Sequence, residues 1–162
     1  MSDIELFAPI NDLAHGDALE DWRWLVGSKA QALLLTAMGD LFVTKPNFLG
    51  QQPIFLLDPN VGAFTKVTSN RAALKARIAA PDIEVSSWLK YELLQELHRQ
   101  LGALAPGNCY SPRVPASLGG SYEHDNFEQA DWRVHLSVLG QVHQQIKDLP
   151  PGTSISKIEL SK

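Results

Sequence analysis

The 162-residue chain contains one cysteine, Cys109, so no intramolecular disulfide can form and a reducing compartment is expected. Long apolar runs are missing. The longest, Ala32 to Met38, includes Thr36 and is far shorter than the ~20 residues that cross a bilayer. The amino terminus, MSDIELF, carries acids where an export signal needs Lys or Arg, which points to the cytoplasm. Basic excess is missing too: 14 Lys and Arg stand against 18 Asp and Glu, net -4. The resulting pI of about 5.7 argues against nucleic-acid binding by bulk charge. Neither G-x-G-x-x-G nor G-x-x-x-x-G-K-[ST] occurs, and there is no H-E-x-x-H or cysteine pair. No phosphate cradle, metal or cofactor is therefore expected.

What the chain does have is the composition of a folded domain, 44% apolar and 20% charged. A length of 162 residues fits a single domain that buries roughly 70% of its unfolded surface. Charge is uneven. Residues 1–64 hold eight acids and three bases, net -5, while residues 65–100 are net +2 and residues 101–162 net -1. The acidic part reads either as a solvated surface or as a docking face for a basic partner.

Apolar spacing at Leu19, Trp22 and Val26 predicts a helix over Asn11 to Val26, stopped by Gly27. Four short strands follow, at Gln31–Ala37, Leu41–Lys45, Pro53–Asp58 and Ala63–Val67. Met38-Gly39-Asp40 and Asp58-Pro59-Asn60-Val61-Gly62 supply turns, giving an antiparallel meander with a face to cover. Ser69 is read as the N-cap of a helix over 70–79, and Ser86 or Ser87 as the start of another over Trp88 to Leu101. That second helix carries the stripe Lys90, Leu94, Leu97 and Leu101 and ends at Gly102. Residues 103–129 read as a long irregular loop, a type that is often functional. Asp131 caps a last helix whose stripe is Trp132, Leu136, Leu139, Val142, Ile146 and Leu149. Ile155 to Leu160 reads as an edge strand or an ordered tail. The fold class is α+β: an antiparallel sheet of about four strands packed against C-terminal helices.

Candidate chemistry is sparse. His135 and His143 are eight apart, about 80° round a helix, which is poor for metal ligation, so they read as surface or interface histidines. Cys109 reads as a packing residue, and Gly107-Asn108-Cys109-Tyr110 lacks the flanking small residues of a nucleophile elbow. Asp125 and Glu128 have capping-box spacing, though paired acids can also serve acid–base chemistry. Trp22, Trp88 and Trp132 read as core; Trp24, two residues from Trp22, packs under the sheet edge or is exposed. If a partner binds, the loop offers Glu123, Asp125 and Glu128 to steer a basic surface and Tyr110, Arg113 and Tyr122 as anchors. The alternative is an enzyme or small-ligand domain with a pocket under the Gly102–Gln129 loop, using His124, Asp125 or His135.

Several blocks carry a resemblance. They are Asp21–Gly27 (DWRWLVG), Gly39–Val43 (GDLFV), Leu101–Tyr110 (LGALAPGNCY), Val114–Gly120 (VPASLGG) and Asp131–His143 (DWRVHLSVLGQVH). Together they resemble the C-terminal domain of immunity proteins associated with type VI secretion DNase effectors, from about residue 18 to residue 150. The resemblance implies a non-enzymatic cytoplasmic antitoxin that binds a toxic effector. Longer members carry an amino-terminal module related to the GAD domain; with about 17 residues before the first block, this chain is expected to lack or truncate it. A cognate toxin is the expected partner, with a second copy of the chain as an alternative, and neither nucleic acid nor membrane is expected.

Overall fold

Two antiparallel sheets and five helices make up residues 4–161, the part of the chain described by the computed structural model. The first sheet is the expected meander. It consists of β1 (Gln31–Leu35), β2 (Leu41–Thr44), β3 (Ile54–Asp58) and β4 (Ala63–Thr68), in spatial order β1-β2-β3-β4. Leu41 pairs with Leu57 and Val43 with Phe55 across β2 and β3. Because side chains alternate along a strand, Leu41, Val43 and Leu57 enter one core cluster while Phe42 and Ile54 enter another. All four residues of β2 are buried, so both faces of the sheet are covered.

Two separate layers provide that cover. On one face lie Trp22, Val26, Trp132, Leu136 and Leu139, from the amino-terminal turn and from α5 (Trp132–Ile146). On the other lie Leu74, Val85 and Leu89, from α2 (Arg71–Ala79), α3 (Ile83–Trp88) and the residue after it. Each such side chain contributes roughly 1.5–3 kcal/mol by leaving water. The C-terminal helix thus covers one face only. A third cluster sets Leu94 and Leu97 of α4 (Tyr91–Leu101) against Tyr110 and Phe127. Asp131 caps α5 as expected, its Oδ1 accepting from the Arg133 and Val134 amides at 2.9 and 3.1 Å.

Several expected elements differ, each for a local reason. The helix expected from Asn11 is helical only from Glu20, as a 3-10 turn (Glu20–Trp22) running into α1 (Arg23–Val26). Asp17 accepts from the Leu19 amide and grips Arg23, which favours a turn before it. Asn70 rather than Ser69 caps α2. The helix expected over Trp88–Leu101 is two helices, because Asp82 caps α3 by accepting from the Val85 amide and Lys90 turns the backbone left-handed at φ 50°. The expected long loop contains a second sheet, β5 (Asn108–Pro112) paired with β6 (Phe127–Asp131). Its strands lie far apart in sequence, so no hairpin signal marks them. Glu128 sits in β6, and the turn at His124–Asn126 has no side-chain cap, so no capping box forms. Trp88 is half-buried over Phe42 rather than enclosed. Trp24 is half-buried and stacks on Trp22, with ring centroids 6.0 Å apart. Ile155–Leu160 forms no strand. It is an ordered tail whose Glu159 and Ser161 amides donate to the Gln145 and Gln141 side chains of α5.

Candidate functional site

In a meander, alternate turns fall at the same end of the sheet. The β1–β2 and β3–β4 turns therefore carry Asp40 and Asp58 to one place. The α3–α4 junction brings Lys90 between them. Its ammonium donates to Asp40 and lies 2.9 Å from Asp58 Oδ2. The Asp40 side chain is 1% exposed, against 18% for Lys90 and 19% for Asp58. Burial, reinforced by the Asp58 charge, outweighs Lys90 and pushes the Asp40 carboxyl up to about 7. Lys90 is held protonated well above its ordinary range because its two carboxylate partners overcome its own burial. Lys90 is also the one described non-glycine residue at positive φ, a conformation that costs about 1–3 kcal/mol.

The two histidines of α5 hold the same turns from beneath. His135 Nε2 lies 3.1 Å from the Gly39 carbonyl and Nδ1 lies 2.8 Å from Ser111 Oγ. A carbonyl only accepts, so Nε2 carries the proton and Nδ1 accepts from the serine hydroxyl. His143 Nε2 donates to the Pro59 carbonyl at 2.9 Å. Burial lowers both pKa values, His135 to about 4. Eight residues apart, the pair spans two helical turns and serves one hairpin tip each. Gly39 and Gly62 make room for the rings: a Cβ at Gly39 would stand 2.3 Å from His135 Nε2, and one at Gly62 2.5 Å from His143 Nδ1. Both histidines are buried, at 3% and 5%, which corrects the expectation of surface positions.

Beside this cluster lies an open cleft of about 720 Å³. Asp58, Lys90 and Glu92 form its polar part, and Ile83, Tyr91 and Tyr122 its apolar part. Burial first, then the Asp58 charge, raise the Tyr122 phenol. Of the residues expected to bind a partner, Tyr122 alone lines the cleft. Glu123, Asp125, Arg113 and Glu128 are exposed nearby in sequence, the last two as an ion pair at 3.5 Å. Tyr110 is 1% exposed and donates to the Gly102 carbonyl, so it is a core residue and offers no anchor. Cys109 is fully buried, as read, and burial pushes its thiol far up. His124 lies exposed beside Glu96, whereas His135 is enclosed, so the set His124, Asp125 and His135 shares no pocket. Sequence reasoning missed Asp40, Asp58 and Lys90 as a unit. The signal was a lysine on an apolar stripe together with one acid at each hairpin tip.

The architecture is that of an α+β protein with a four-stranded meander. The crystal structure of Atu4351 from Agrobacterium tumefaciens shares the fold. Its TM-score is 0.52 at 21% sequence identity, over 69% of this chain and 54% of that one. The chain spans about half the length of that protein. No curated protein matches. Residues 68–143 match the family model described as T6SS immunity protein Tdi1, C-terminal. The match supports the resemblance over a narrower span than about 18–150. It includes Lys90, Tyr91 and Tyr122, whereas Asp40 and Asp58 precede it.

No described helix is long and apolar enough to cross a membrane.

Proposed function

We propose that this chain is an immunity protein that binds a toxic effector of type VI secretion in the cytoplasm and neutralises it without catalysis. The family match over residues 68–143 is the observation that carries the reading. The side-chain chemistry supports it. Cys109, His135 and His143, the groups best suited to nucleophilic or proton-transfer work, are enclosed, and both histidines bond backbone carbonyls. Glu123, Asp125 and Glu128 face solvent. A nuclease presents a cationic cleft for phosphate, and exposed carboxylates are complementary to such a surface. Arg113 and Tyr122 remain the anchors beside them. The scattered positions of His124, Asp125 and His135 count against the enzyme alternative.

The test is binding of the purified protein to each effector encoded beside its gene, together with rescue of cells expressing that effector. Micromolar or tighter binding with rescue is the expected result. No binding to any of them at micromolar concentration overturns the reading. Asp125→Lys should slow association and flatten its dependence on salt, measured by stopped-flow mixing; unchanged kinetics would remove the electrostatic part.

A further inference from the structure

We propose that the cleft between the hairpin tips and the α3–α4 junction is the anchor pocket of the effector interface, and that it receives an arginine or lysine side chain of the effector. This rests on the effector-binding reading above and adds the place and the chemistry of the contact.

Three observations converge there. The cleft is open and large enough, at about 720 Å³, for a long side chain. Its rim exposes three large apolar side chains, Ile83 at 89%, Tyr91 at 38% and Tyr122 at 45%. Tyrosines around a polar floor are a composition typical of the centre of protein interfaces. The third observation is charge. Lys90 is already engaged by both Asp40 and Asp58, and Glu92 stands on the rim with no paired cation among the described residues. The carboxylates therefore outnumber the ammonium, so an anion entering would meet repulsion and a cation attraction. Arg77 is already engaged by Asp82 and Glu84, and Arg99 by Glu96. A guanidinium or ammonium from outside could approach Asp58 and Glu92 while lying against a tyrosine face, which adds cation–π attraction. Glu123 and Asp125, in the connection that carries Tyr122, extend the field that guides a basic surface inward.

The test measures affinity for the purified effector domain encoded beside the gene, using the full chain and the variants Tyr122→Ala, Tyr91→Ala and Glu92→Lys. Lys157→Glu, in the tail, serves as a remote control. Circular dichroism and thermal unfolding check that each variant folds. Each cleft variant is expected to weaken binding by about tenfold or more, with the control unchanged. Glu92→Lys should also flatten the salt dependence, and an Arg→Glu or Lys→Glu effector variant should recover affinity toward it. A photo-crosslinking residue at position 91 should attach beside that same basic residue. Folded cleft variants that bind within twofold of the unaltered chain would overturn the pocket and leave the immunity reading standing. Self-association of the unaltered chain, abolished by Tyr122→Ala, would overturn it in favour of a second copy as occupant. Failure of the unaltered chain to bind any neighbouring effector would overturn both.

Discussion

Asp40 and His135 meet at the same hairpin tip, His135 on the Gly39 carbonyl and Asp40 the next residue, and they titrate in opposite senses, so their effects on stability should mask each other. Asp40 has its folded pKa raised from 3.8 to about 7. Its contribution is complete below 3.8 and is lost as pH climbs toward 7. A displacement of that size corresponds to about 4 kcal/mol across the window. His135 has its folded pKa lowered from 6.5 to about 4. Its contribution is complete above 6.5 and is lost as pH falls toward 4, about 3 kcal/mol in all. Between pH 4 and 6.5 the two slopes nearly cancel in the unaltered protein. His143, also lowered, adds to the histidine side. Asp12, Asp17 and Asp82 have lowered values and act only below the window. Asp40→Asn should remove the falling slope, so that stability relative to the unaltered protein rises by about 3 kcal/mol from pH 4 to 6.5. His135→Gln keeps an amide donor for the Gly39 carbonyl and should show the reverse tilt. Urea unfolding at half-unit pH steps measures both. Curves that run parallel to the unaltered protein in either variant would refute the opposed-linkage account.

Lys90→Met removes the charge that lowers the Asp40 carboxyl, so Asp40 keeps its proton to higher pH and the loss of stability should be about 1 kcal/mol greater at pH 8 than at pH 5. Equal shifts of the urea midpoint at the two pH values would refute this. Gly39→Ala combines a left-handed backbone at φ 77° with a Cβ against the His135 ring, and should destabilise by about 3 kcal/mol in urea titrations. A loss below about 0.5 kcal/mol would mean that the turn is free to move. Replacing Gln141 and Gln145 together by Ala removes the donors and acceptors that hold Glu159 and Ser161. Hydrogen exchange of those two amides should accelerate while global stability changes by less than about 1 kcal/mol.

The sequence by itself determined the elements whose signals are local. The meander follows from short apolar runs set between the Met38-Gly39-Asp40 and Asp58–Gly62 turns, because turn chemistry acts over a few residues. The α5 start follows from Asp131, whose side chain needs only the next amides. The reading of Trp132 as a packing residue follows from the apolar stripe it opens, and that of Cys109 from its being a lone cysteine outside any nucleophile motif. The resemblance to the immunity family was also legible, over the part that the family model covers. What tertiary structure decided lies in pairs far apart in the chain. The second sheet joins residues 108–112 to 127–131 across a connection no periodicity marks. Lys90 was legible only as a lysine on an apolar stripe until Asp40, 50 residues away, was brought to its ammonium. His135 and His143 read as surface residues because nothing local shows that each ring fills the space left by a glycine at a hairpin tip. Tyr110 and Tyr122 are alike in sequence context, yet one closes the core and the other rims the cleft. Burial is a property of the assembled layers, so the cleft and its charge pattern could be located only once both faces of the sheet were covered.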